Sequence, residues 1–128
     1  MATGGDTERA AGSVVAVVDD LLFGSKLRAA AGAAGRAIHF VRSRERVGPT
    51  VRETGARLVI IDLDRPPLEP QGVIEDLRAS PEGALLRIVG FARHTHPNVL
   101  RDARNAGCEA MPRSSFVERL PQLMGGAS

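Results

Sequence analysis

Residues Arg57-Leu58-Val59-Ile60-Ile61-Asp62-Leu63-Asp64-Arg65-Pro66-Pro67 decide the fold. Leu58 to Ile61 form a short, wholly apolar, β-rich run that stops abruptly at Asp62, Asp64 and a proline pair. A run without polar alternation reads as a strand buried on both faces, the condition of a parallel sheet covered by helices. Such a strand delivers its last residue, here Asp62, to the carboxyl edge of the sheet, where α/β proteins place their sites.

The same pattern recurs outward from this stretch. Val14 to Val18 is a second apolar β-rich run, and it ends in Asp19-Asp20. Arg36 to Val41 alternates loosely and reads as a strand, Leu85 to Ala92 as another, and Glu109 to Pro112 as a short last one. Helical spacing fills the intervals. Phe23, Leu27, Ala30, Ala31 and Ala34 share one face, with Gly35 as a stop. Ser43 is positioned to cap a helix carrying Val47 and Val51, which Gly48-Pro49 weakens, kinks or displaces and Gly55 ends. After a loop to Pro70, Val73, Ile74 and Leu77 mark a helix over 71–79, stopped by Ser80-Pro81. Pro97 suits the first turn of the next helix, whose face is Val99, Leu100, Ala103 and Ala106 and whose C-terminal cap is Gly107. Ser115 and Glu118 are spaced as a capping box for a last helix with Val117, Leu120, Leu123 and Met124. Pro121 interrupts it, so two short turns are expected there.

Five strands alternating with five helices, without a repeat or linker, predict an α/β doubly wound parallel sheet. The domain is expected over 14–124, with flexible tails at 1–13 and 125–128. A length of 128 residues suits one domain, and 43% hydrophobic residues suffice for a core. With four Phe and no Trp or Tyr, that core must be built from Val, Ile, Leu and Ala, and a base-stacking nucleic-acid surface is disfavoured. Seventeen Lys and Arg are interspersed with fifteen Asp and Glu, so no basic footprint for nucleic acid stands out. The single Cys108 excludes an internal disulfide and fits a reducing compartment. The longest apolar run is too short for a membrane span, and no signal-peptide pattern is visible. A cytoplasmic protein without membrane or nucleic-acid partners is expected.

The chemistry lies in the strand ends. If the first and central strands are neighbours, Asp19, Asp20 and Asp62 converge at one edge. Close carboxylates repel, which raises a pKa or recruits a cation. A hard ion such as Mg²⁺ suits two carboxylates, a carbonyl and retained waters. Other signals are weaker. His94, Thr95 and His96 read as a surface loop rather than a zinc site, and Cys108 as a small buried residue. Gly24, Gly32 and Gly35 do not form a phosphate-binding fingerprint, and Ser25-Lys26 is not a convincing nucleophile–base pair.

Three short motifs in order resemble the response-regulator receiver (CheY-like) family of two-component signalling. Val17-Val18-Asp19-Asp20 resembles its acidic pair after the first strand. Ile60-Ile61-Asp62-Leu63-Asp64-Arg65-Pro66 resembles its phosphoacceptor motif, with proline four positions after the aspartate. Ala106-Gly107-Cys108-Glu109 resembles the turn before its fifth strand. The resemblance covers roughly 14–124. It implies a flavodoxin-like sheet of order 2-1-3-4-5, and Asp62 as acceptor of a phosphoryl group from a histidine kinase or phosphotransfer protein. It also implies Mg²⁺ held by Asp20, Asp62 and the backbone carbonyl of Asp64, with Asp19 helping through water. The fourth helix, fifth strand and fifth helix, residues 97–124, would contact a protein effector or a second copy of the chain. Arg101, Asp102, Arg104 and Asn105 would lie on the exposed face of that fourth helix.

Two positions depart from the family pattern. Phe91 stands where the family has Thr or Ser, whose hydroxyl follows the phosphoryl group. Met111-Pro112-Arg113-Ser114 stands where it has Lys-Pro, so Arg113 is the residue left to contact phosphate. Such sequences are similar to atypical or pseudo-receivers. The expected function is a stand-alone, non-enzymatic receiver-like module with Asp62 at the phosphoacceptor position and output through protein contact. The alternatives are a pseudo-receiver that docks partners without phosphotransfer, and a small flavodoxin-like enzyme or ligand-binding domain.

Overall fold

The computed structural model describes residues 12–125. Residues 1–11 and 126–128, most of the expected tails, lie outside the described residues.

Five parallel strands form one sheet in the order β2-β1-β3-β4-β5. They are β1 (Val14–Val17), β2 (Ile38–Phe40), β3 (Leu58–Asp62), β4 (Arg87–Ala92) and β5 (Glu109–Pro112). Five helices alternate with them: α1 (Leu21–Ala33), α2 (Arg44–Thr54), α3 (Pro70–Ala79), α4 (Pro97–Asn105) and α5 (Arg113–Gly125). Parallel neighbours need crossovers, and each helix supplies one or closes the series. The expected architecture and order are those observed.

Strand alternation divides the core in two. Val15, Val17, Val59, Ile61 and Ile88 point to one face, where α2, α3 and α4 bury Val47, Val51, Val73, Ile74, Leu77, Leu100 and Ala103. Val14, Ala16, Leu58, Ile60, Val89 and Phe91 point to the other, against Phe23, Leu27 and Ala31 of α1 and Phe116, Leu120, Leu123 and Met124 of α5. All five residues of β3 are buried, which is why this segment carries no polar alternation.

Several boundaries differ from the sequence expectation. Leu85 does not begin β4; it lies in a 3₁₀ turn (Gly83–Leu85) and is 62% exposed. Gly83 fixes that turn, because an added Cβ would stand 2.8 Å from the Leu77 carbonyl oxygen. Pairing then starts at Arg87, whose N–H donates to the Arg57 carbonyl at 2.8 Å. The loop after β3 holds a further 3₁₀ turn (Pro66–Leu68) that buries Leu68. Helix α2 is not displaced: it runs through Pro49, held by buried Val47 and Val51, and Ser43 precedes it without a side-chain cap bond. Helix α5 starts at Arg113, directly after β5, so Ser115 sits inside the first turn and forms no capping box. Pro121 does not split it. The proline costs a helical hydrogen bond, but buried Phe116, Leu120, Leu123 and Met124 hold both sides of it on the sheet.

Arginines tie the loops down by their backbone. Arg78 donates from Nε and Nη2 to the Gly107 carbonyl at 3.0 and 2.7 Å, and from Nη1 to the Leu86 carbonyl at 2.9 Å and to that of Gly83. Arg36 donates to the Met124 carbonyl at 3.1 Å, and Arg104 to that of Ala110 at 2.9 Å. Among the described residues no helix is long and apolar enough to cross a membrane. The Arg78 fork joins α3 to the turns before β4 and β5. Truncating it leaves three carbonyls without that donor, so Arg78→Ala should lower unfolding free energy in urea titration by roughly 2–3 kcal/mol. Arg78→Lys, lacking the fork, should recover only part of it. A loss below about 0.5 kcal/mol, the range of ordinary surface substitutions, would contradict this clamp.

Candidate functional site

Strands β1 and β3 are neighbours, with Val17 in register with Ile61. The residues that leave β1 therefore stand at the same edge as the end of β3. Asp62 is only 2% exposed, the one charged residue buried among those described. Its Oδ1 accepts the Asp64 N–H at 3.0 Å. Its Oδ2 lies 3.8 Å from Nη2 of Arg113, an ion pair too long to be a hydrogen bond. Burial pushes the Asp62 carboxyl above its ordinary pKa; the Asp64 amide and the Arg113 charge oppose that, while the Asp64 and Asp19 charges add to it.

The other carboxylates are engaged elsewhere. Both Asp19 oxygens accept from Arg65, Nε to Oδ1 and Nη2 to Oδ2, each at 3.0 Å. Asp20 caps α1, its Oδ1 accepting the Phe23 N–H at 3.0 Å. The Asp64 side chain, too, has partners. Oδ2 accepts the Arg93 N–H at 2.8 Å, and Oδ1 lies 2.9 Å from Nδ1 of His96. The acidic edge is thus bound to two guanidinium groups, three backbone amides and an imidazole. Among the described residues no group of three or more His, Cys, Asp or Glu is arranged to hold a metal ion. As oriented, both Asp19 oxygens and both Asp64 side-chain oxygens are committed to protein donors, while Asp20 and Asp62 each give one oxygen, Oδ1, to a backbone amide.

Phe91 is fully buried and in register with Asp62 on β3 and Met111 on β5. Its ring stacks at 4.6 Å on Phe23 and 4.8 Å on Phe116, tilted arrangements that favour aromatic pairs. The Arg113 guanidinium caps this cluster, 4.6 Å from the Phe23 ring and 5.0 Å from the Phe91 ring. Arg113 is therefore held over two aromatic rings while one nitrogen is turned toward Asp62.

Sequence reasoning placed Asp19, Asp20, Asp62, Phe91 and Arg113 at one edge. It missed Arg65, although that residue lies in the decisive stretch, and it missed the joining of His96 to Asp64. It also overlooked Phe116; that three of the four Phe flank strand or helix ends near the site was the available signal. Arg101, Asp102, Arg104 and Asn105 are exposed on α4, as expected. Cys108 is buried, and burial pushes its thiol up to about 12, which keeps it protonated.

The sequence matches no family model, and no curated protein matches it significantly. Solved structures do share the architecture. A response regulator from Hahella chejuensis is similar with a TM-score of 0.75 and 17% identity, over 88% of this chain and 92% of that one. The receiver domain of a DNA-binding response regulator from Colwellia psychrerythraea has a TM-score of 0.72 at 13% identity, covering 88% and 97%. The receiver domain of a sensor histidine kinase from Pseudomonas aeruginosa PAO1 has a TM-score of 0.71 at 13% identity, covering 89% and 98%. That last structure holds a magnesium ion in its active-site cleft. Agreement this close in shape at such low identity assigns the architecture: the chain has the flavodoxin-like fold of response-regulator receiver domains.

Proposed function

We propose that this chain is a pseudo-receiver, a signalling module that acts through protein–protein contact without phosphoryl transfer. The observation that carries this reading is the Phe91–Arg113–Asp62 assembly, in which Phe91 and Asp62 are buried and the half-exposed Arg113 covers them. A receiver's switch needs a hydroxyl free to move toward a phosphorylated aspartate. Phe91 offers none, and its packing against Phe23 and Phe116 leaves it fully buried. Arg113 is committed to the rings and to Asp62. Asp62 then serves as a buried structural carboxylate, and Mg²⁺ has no role in the resting module.

Output would pass through α4, β5 and α5, residues 97–124, to a protein effector or a second copy of the chain. Arg101, Asp102, Arg104 and Asn105 give that surface a mixed-charge exposed face, suited to partner selection by charge complementarity. Its shape is fixed rather than toggled, since no phosphate is needed to set it.

A second reading keeps Asp62 as phosphoacceptor, supplied by a histidine kinase or phosphotransfer protein with Mg²⁺ bound. Its support is the position of Asp62 at the carboxyl end of β3, near Asp19 and Asp64. Incubation with acetyl phosphate and Mg²⁺, followed by intact-mass measurement, separates the two. The pseudo-receiver should gain no phosphoryl mass. Stoichiometric addition that disappears in Asp62→Ala would establish the second reading instead.

The buried carboxylate makes a further prediction. Because its folded pKa is raised above 3.8, Asp62 favours the fold most when protonated. That contribution is complete below the unfolded value and is lost as pH rises through the folded one. Asp62→Asn should therefore raise the melting temperature at neutral pH, and the gain should shrink as pH falls through the raised folded value and vanish below about 4. A less stable Asn variant at neutral pH would mean that Arg113 and the Asp64 amide outweigh burial.

A further inference from the structure

Four carboxylates, those of Asp19, Asp20, Asp62 and Asp64, stand near the carboxyl edge of the sheet around β1 and β3. Such a concentration of negative charge ordinarily demands a counter-ion. We infer that Arg65 and Arg113 are resident counter-ions that occupy the electrostatic role of a divalent metal, so that the acidic edge is neutralised from within and closed to Mg²⁺.

The geometry of each arginine supports this. Arg65 grips Asp19 with both arms of its fork at 3.0 Å, leaving neither oxygen without a charged donor. Paired, parallel bonds of this type are the strongest arrangement open to a carboxylate and a side chain. Arg113 stands beside Asp62 with its guanidinium over Phe23 and Phe91, so its position is fixed from behind. Asp20 gives one oxygen, Oδ1, to the α1 cap, and Asp64 gives both side-chain oxygens to Arg93 and His96. A metal drawn to Asp19 would have to break the Arg65 fork, and one beside Asp62 would meet the Arg113 charge. Mg²⁺ sheds its water reluctantly and is usually held by only one or two carboxylates with help from phosphate oxygens, so it competes poorly.

The arginines are therefore what stands between this edge and a metal site, and their removal should create one. Mn²⁺ serves as a paramagnetic probe, read by the signal of the free ion in the full chain, with no phosphodonor present. The result thus stands apart from whether Asp62 can be phosphorylated. Wild type should leave Mn²⁺ free at about 1 mM, and R65A/R113A should bind it at least about tenfold more tightly. Arg65 is 48% exposed and outside the core, so R65A alone should fold and show part of the gain even if the double variant does not. Circular dichroism establishes which variants are folded. Wild-type binding at or below about 1 mM, or a folded R65A no tighter than wild type, would overturn the inference.

Discussion

The two-sided burial of β3 is the constraint from which the rest follows. Five consecutive buried residues require helices on both faces of the sheet, and α1 and α5 on one side and α2, α3 and α4 on the other provide them. The same burial reaches one residue past the apolar run. Asp62 is the end of the strand, yet it is nearly as enclosed as Ile61. A carboxylate taken that far from water must be hydrogen-bonded and charge-compensated or it will be driven toward its neutral form. The Asp64 amide supplies the first and Arg113 the second, and neither fully offsets desolvation. The site is thus a consequence of how the sheet is covered, rather than a feature added to a finished scaffold.

Compensation draws in residues from the ends of β1, β3, β4 and β5 along that edge. Asp64, two residues beyond the strand, orders the β4–α4 loop by accepting the Arg93 amide and meeting His96, the residue that precedes α4. Asp20 starts α1, and Asp19 fastens Arg65 across from β1 to the loop after β3. The acidic residues act as connectors between the loops and the sheet. Each connection uses a carboxylate oxygen, so the order of these loops rests on the same acids that concentrate negative charge at this edge.

The alternating run of strands and helices was legible because burial imposes a pattern on every residue of an element. Leu58 to Ile61, Val14 to Val18 and the i, i+3, i+4 faces of the helices all carry it. Single positions were legible less well. Ser115 and Glu118 have capping-box spacing, but α5 begins without an intervening loop, and only tertiary placement reveals that. Leu85 reads as strand, yet Gly83 and the Arg78 clamp turn the chain there. Pro121 reads as a break, yet burial on both sides of it outweighs one lost hydrogen bond. At the site, residue types told which strand ends would be acidic. They did not tell where the acids would point, because arginine side chains reach far and choose partners by space rather than by sequence distance: Arg65 to Asp19 spans 46 positions.

The two departures from the receiver pattern are, in physical terms, one. Phe91 and Arg113 touch, and each suits the other. An aromatic ring at the end of β4 removes a hydroxyl but creates a π-face beside Phe23 and Phe116. A guanidinium can lie flat on such faces and still direct a nitrogen at Asp62, and the contact is worth roughly 0.5–2 kcal/mol. A lysine at the same position would be a point charge on a flexible stem, strongly hydrated and without a plane to stack. With a hydroxyl in place of Phe91, in turn, the Arg113 guanidinium would lose one of the two rings that fix it. A switch built from a hydroxyl and an ammonium needs both groups loose enough to follow a phosphoryl oxygen. A ring and a guanidinium at cation–π distance satisfy each other at rest, and they favour a site that stays in one state.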